Sequence, residues 1–302
     1  MFTADTHADT LYALKLRGAA PDRLMITPEK LRQGGVTLQT LALFTGGATE
    51  EAEAESNVLQ ELQALPFFLE AGFRQVLSPQ EASADHPGIL LSMEGGEALS
   101  ASDEKVAFWH ERKVRMVALL WNHPNALGFP AKGGFTQGLT PEGIARARKM
   151  QQLHMAVDVS HLNEAGFWDL YRYTFRPPMA SHSCCSALCG HPRNLTDEQI
   201  LQMIRCGGYI GVNFCPAFLD EGEDADLETV ARHILHICDL GGEDIVGLGS
   251  DFDGIARTPR GLSGPQDLPA LFDVLRAHGM EETQIRKVAG ENFTAYFHRI
   301  SS

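Results

Sequence analysis

The chain has 302 residues, 25 of them Lys or Arg against 39 Asp or Glu, for a formal charge of −14 at pH 7. Hydrophobic residues at 44% and charged residues at 21% exclude a disordered chain and supply enough apolar matter for a sizeable core. The acidic balance argues against a nucleic-acid groove, which needs a surplus of Lys and Arg on one face, and leaves a small molecule as the expected ligand.

The opening Met1-Phe2-Thr3-Ala4-Asp5 has neither the basic stretch nor the apolar run of an export signal, and no segment offers the roughly 20 apolar residues that a bilayer crossing takes. The cytoplasm is the expected compartment and no membrane partner is expected. Short apolar or β-branched runs then recur at 2–6, 36–44, 88–93, 114–121, 155–160, 178–182, 208–214 and 245–250. Helical stretches fill the gaps. The acidic run at 50–55 suits the positive end of a helix, Thr140-Pro141-Glu142-Gly143 reads as an N-cap followed by Pro, and Thr196-Asp197-Glu198-Gln199 places acids in a first turn. The cysteines, Cys184, Cys185, Cys189, Cys206, Cys215 and Cys238, contain no CxxC pair and read as reduced thiols.

Eight strands alternating with helices in about 300 residues predict a single α/β domain over 1–302, a (β/α)8 TIM barrel with its active site at the C-terminal strand ends. The rival, a doubly wound open sheet, would want a GxGxxG fingerprint, and neither Gly46-Gly47 nor Gly95-Gly96 has that spacing.

His7 and Asp9 come just after the first run, Glu94 after the third, His123 after the fourth, His161 after the fifth, His182 at the end of the sixth and Asp251 after the eighth. In a barrel these converge on one face. His7 and Asp9, two apart on extended backbone, point to the same side and can bite one metal; Glu94, ahead of two glycines, can reach two. Singly, each has an ordinary reading: a surface His-x-Asp, a helix-start Glu94, core histidines at 161 and 182. Together they are the ligands that Zn²⁺ accepts, and two such ions suit hydrolysis. Asp251 can serve as proton acceptor and donor, or as a turn residue, although Asp253-Gly254 fits a turn better. His123 can stabilise an oxyanion or be a plain loop residue, and Arg193 has the planar fork for a substrate carboxylate or for a nearby acid.

The motifs Asp5-Thr6-His7-Ala8-Asp9-Thr10, Ser92-Met93-Glu94-Gly95, Gly138-Leu139-Thr140, Asp158-Val159-Ser160-His161, Ser181-His182-Ser183, His191-Pro192-Arg193-Asn194, Gly211-Val212-Asn213-Phe214, Gly249-Ser250-Asp251-Phe252-Asp253-Gly254 and Gly290-Glu291-Asn292-Phe293 span nearly the whole chain. In combination they resemble the membrane dipeptidase (renal dipeptidase) family, peptidase family M19, zinc dipeptidases within the amidohydrolase-like barrels. The resemblance implies two Zn²⁺ per chain, one on His7 and Asp9, the other on His161 and His182, with Glu94 bridging them. It implies a metal-bridging hydroxide as nucleophile and Asp251 as proton shuttle. His123 would touch the substrate near the scissile carbonyl, Arg193 would hold its carboxylate, and Asn213 would also bind the substrate.

A dipeptide substrate, tolerance of a D-residue on its C-terminal side and a homodimer are implied in the same way. Mammalian members carry an export signal, disulfides and a lipid-anchor tail, so this chain is expected to be a soluble bacterial-type member. Where some relatives have a tyrosine after Val-Asn-Phe, Cys215-Pro216 stands here. The alternatives are another metal-dependent amidohydrolase, acting on an N-acyl amino acid, lactone or β-lactam, and a catalytically silent binding protein on the same barrel. The presence of every inferred ligand and of Asp251 speaks against the last.

Overall fold

The computed structural model describes residues 1–301. Nine parallel strands form one sheet: β1 (Ala4–Asp5), β2 (Leu38–Phe44), β3 (Arg74–Gln75), β4 (Gly88–Glu94), β5 (Val114–Ala118), β6 (Ala156–Asp158), β7 (Met179–Ala180), β8 (Tyr209–Val212) and β9 (Val246–Leu248). β1 pairs with both β2 and β9, and β2 pairs with β4 over seven residues, from Leu38 opposite Gly88 to Phe44 opposite Glu94. Eight strands thus close on themselves as the expected (β/α)8 barrel, one from each of the eight sequence runs. β3 lies outside the circle, beside the start of β4.

Several strands stop sooner than their apolar runs, because side chains take over from the ladder at the barrel's upper rim. Past β6 and β7, one carboxylate oxygen of Asp158 accepts the backbone N–H groups of both Ser160 and Ser181 at 2.9 Å. The helix starts agree with the sequence: Thr140 caps Pro141–Gln152 by accepting from Gly143 N–H, and Thr196 and Gln199 form a reciprocal capping box on Asp197–Cys206. Acids fill the first turn of Glu51–Leu62.

The floor of the barrel is closed by the last helix, Asn292–Ser301. Its Phe293, Tyr296, Phe297 and Ile300 are buried in one cluster with Ala4, Leu38, Ala156, Met179 and Tyr209, which begin their strands. Each large apolar side chain so buried contributes about 1.5–3 kcal/mol, so the helix acts as a stopper at the end away from the carboxylates and histidines. Asn292 anchors it by donating to the carbonyls of Glu243 and Val246, both at 2.8 Å. Among the described residues no helix is long and apolar enough to cross a membrane, and all six cysteines are free thiols.

Candidate active site

The site is organised from Asp5 outward. Its carboxylate, buried at the end of β1, accepts from Ser250 N–H at 2.8 Å, Ser250 O–H at 2.5 Å and Gln39 at 2.9 Å. This ties β1 to β2 and to the loop past β9, and so fixes where His7 and Asp251 emerge. Burial raises the Asp5 pKa, with those hydrogen bonds opposing.

Beyond this knot, His7 Nε2 stands 3.6 Å from Asp9 Oδ2, 3.8 Å from Glu94 Oε2 and 3.9 Å from Asp251 Oδ1. The other Glu94 oxygen, Oε1, is 2.8 Å from His161 Nε2 and 3.8 Å from His182 Nε2. Those two Nε2 atoms are 3.1 Å apart, and the rings of His7 and His182 stack at 3.8 Å. Hydrogen bonds on the far side of the His161 and His182 rings aim their Nε2 atoms. His161 Nδ1 meets Asn122 Oδ1 at 3.1 Å and His182 Nδ1 meets Ser181 Oγ at 2.6 Å, the outer contacts that orient a metal-binding imidazole. His161 and Asp251 both hold left-handed backbone, with φ of 70° and 61°, a conformation costly for residues other than glycine.

The donor set fits divalent cations. Asp9, Glu94 and Asp251 crowd around one buried space, while His7 Nε2 and Asp9 Oδ1 are buried without hydrogen-bond partners. Burial, then the charge of Asp9, drives the Glu94 pKa well up. Burial by itself would depress His7, but the carboxylates of Asp9, Glu94 and Asp251 outweigh it and carry the imidazole to about 10. His161 and His182 are held well below the ordinary value by burial, with the positive charges of Arg193 and His7 adding to the effect. The acids call for positive charge and two neutral imidazoles offer lone pairs, which is the chemistry of a hard-to-borderline metal site.

Asp251 is pushed up to about 6, chiefly by desolvation. Its Oδ2 accepts from Asn213 Nδ2 at 3.0 Å. Arg193 is buried. Its Nη2 donates to His182 O at 3.4 Å, its guanidinium lies 5.5 Å from the Phe218 ring centre, and its Nε has no partner. These groups line a cavity of about 290 Å³ that is walled elsewhere by Tyr12, Phe44 and Trp121. Successive rings of that wall are 4.9 and 5.0 Å apart. Cys215 lines the cavity as well.

The structure therefore brings together His7, Asp9, Glu94, His161, His182, Arg193 and Asp251. Two further residues named from the sequence are held by protein partners beside the site. His123 Nε2 is engaged with Gly47 O at 2.9 Å while its Nδ1 is buried without a hydrogen-bond partner, and its neighbours Trp121 and Asn122 line the cavity. Asn213 is fully buried behind Asp251, its amide committed to that carboxylate and to Cys215 N–H. It orients Asp251. Sequence reasoning misses Asn122, Ser181, Asp158 and Arg17 as individual site residues; adjacency to His123 and to His182 is the one signal for the first two.

A model of the membrane dipeptidase family, peptidase family M19, matches residues 1–301. The chain belongs to that family. Its members are metal-dependent dipeptidases, and solved structures agree over the whole length. A metallopeptidase from Rhodobacter sphaeroides, solved with a phosphinate mimic of the dipeptide L-Ala-D-Ala, superposes with a TM-score of 0.88 at 26% identity, covering 99% of both chains. Dipeptidase AC, a metallopeptidase of family M19, gives 0.88 at 27% identity over 99% of this chain and 98% of its own. An uncharacterised protein from the pqqA 5′ region of Klebsiella pneumoniae is 38% identical over 215 residues, 68% of this chain and 79% of that protein.

Proposed function

We propose that the protein is a binuclear zinc dipeptidase of EC 3.4.13 type, folded as one domain, which hydrolyses the single amide of a dipeptide and accepts a D-residue at its C-terminal side. The observation that carries this reading is the division of Glu94: Oε2 faces His7, Oε1 faces His161 and His182, and the buried Arg193 lies on the same cavity. His7 and Asp9 would hold one ion, His161 and His182 the other, with Glu94 shared. Two divalent cations there supply Lewis acidity that acidifies water and polarises an amide carbonyl. Asp251, held by Asn213, takes the proton of the attacking water and returns it to the departing nitrogen. Arg193, desolvated and with a free Nε–H, receives the substrate's terminal carboxylate and so fixes the amide over the histidines. The D-residue tolerance is supported by the phosphinate mimic of L-Ala-D-Ala bound to the Rhodobacter protein. A cytoplasmic homodimer completes the proposal.

The test is metal content per chain of zinc-replete protein, together with release of free amino acids from L-Xaa-L-Xaa and L-Xaa-D-Xaa dipeptides, with and without chelator. Two zinc ions per chain and chelator-sensitive cleavage are expected. Two ions without cleavage of any dipeptide would move the substrate to N-acyl amino acids or lactones, and protein that takes up no metal would defeat the reading.

A further inference from the structure

Six charged side chains border the cavity: Asp9, Arg17, Glu94, Arg193, Asp251 and Asp253. Asp9, Glu94 and Asp251 face the histidine cluster, and Asp253 is turned inward, where it accepts from Thr10 O–H and Met25 N–H, each at 2.7 Å, and from Ile26 N–H at 3.2 Å. Two cations remain to meet a ligand. Arg193 is assigned to the terminal carboxylate, which leaves Arg17.

Arg17 is exposed at the rim, just past the short helix Thr10–Lys15 that comes after β1. One guanidinium N–H donates to the main-chain carbonyl of Asp253, and the guanidinium carbon lies 5.5 Å from the Tyr12 ring centre. No carboxylate pairs with it among the described residues. Arg17 is thus the second arginine on the cavity wall, and what holds it there is a main-chain carbonyl and an aromatic ring, not an acid. A fork held from behind by a carbonyl and flanked by an aromatic ring is preorganised to bind a planar anion.

We infer that Arg17, with Tyr12 beside it, forms a subsite for an acidic side chain on the N-terminal residue of the substrate. The inference rests on the dipeptidase reading. With the substrate's carboxylate at Arg193, in the loop after β7, and its amide over the histidines, the N-terminal residue falls on the β1 side beside Asp9 and Tyr12. Its Asp or Glu side chain then meets the unpaired guanidinium. Because Arg17 is exposed, the pair is screened, and the expected preference is modest, about fivefold, and reduced by salt.

The experiment compares kcat/KM for L-Glu-L-Ala with that for its neutral isostere L-Gln-L-Ala, and L-Ala-L-Glu with L-Ala-L-Gln, using zinc-loaded wild type, Arg17→Met and Arg17→Lys. The Glu-to-Gln ratio at the first position should be about fivefold in the wild type, near unity in Arg17→Met, and partly restored in Arg17→Lys, with the difference carried by KM. A wild-type ratio near unity, a ratio that survives Arg17→Met, or a preference confined to the second position would overturn the inference while leaving the dipeptidase reading intact. Failure to cleave any of the four, or any member of the L-Xaa-D-Xaa panel, would overturn both.

Discussion

Asp251 is held in left-handed backbone, hydrogen-bonded to Asn213 on one oxygen and 3.9 Å from His7 on the other. Strain of this kind persists only where surrounding contacts impose it, and here they aim a carboxylate at the cavity beside the histidine cluster. Asp251→Asn keeps the shape and an oxygen for Asn213, but removes the proton acceptor. It should retain two zinc ions per chain and lose at least about 100-fold in kcat, the usual contribution of a general base. Metal analysis beside steady-state kinetics checks this, and turnover close to that of the wild type would take Asp251 out of the mechanism. The identity of such residues was legible because chemistry restricts the residue types; their direction was not. His123 and Asn213 have suitable side chains at suitable strand ends, but that Gly47 O would engage one ring nitrogen of the first and leave the other unpartnered, and that the second would hold Asp251, follows only from packing, which decides which way a loop side chain turns.

The eight barrel strands were readable because each is a short apolar run set off by helical stretches, and Thr140 and Thr196 announced their helices through caps that need only local sequence. The two-residue β3 and the stopper helix at the barrel floor were not readable. β3 has no apolar signal, and the helix buries an ordinary amphipathic face whose partner is the ring of strand starts, a relation that exists only once the barrel closes. Nor did the sequence announce the close approach of two strand ends across the site. A Cβ on Gly249, just past β9, would lie 1.9 Å from Ser181 O and 3.1 Å from His182 Cα. Gly249→Ala must therefore push Ser250-Asp251 away from Ser181-His182. Overpacking of this kind costs about 1–3 kcal/mol, and the displacement falls on both the proton carrier and a metal-binding histidine. A lower urea midpoint and weaker zinc binding are expected together; wild-type values of both would show that the strand ends are not coupled through this contact.

Across the whole molecule, the barrel's two ends divide the labour: an apolar stopper below, and above it a ring of loops whose buried polar groups must stay paired. One of those pairings is sensitive to pH. His233, in the helix Leu227–Asp239, packs under the loop just past His182; its Nδ1 accepts from Cys185 N–H at 3.1 Å and its Nε2 donates to Leu219 O at 3.0 Å. Those roles require the neutral ring, and burial, outweighing the bond to Leu219, pulls its pKa down to about 4. The unfolded chain, with an ordinary histidine near about 6.5, takes up a proton below that pH while the native state refuses it. Stability from this residue is thus complete above about 6.5 and is lost as pH falls toward 4, at about 1.4 kcal/mol per unit and about 3 kcal/mol in all. His233→Asn keeps an acceptor near the Nδ1 position and removes the titration. Urea unfolding of both proteins between about pH 7 and 4.5 should show the wild type losing stability more steeply than the variant, by about 1.4 kcal/mol per unit below about pH 6.5; metal-linked losses are common to both and cancel in the difference. Parallel slopes would mean that this histidine either charges inside the fold or is not sealed from water, and that the loop carrying His182 is not tied to pH through it.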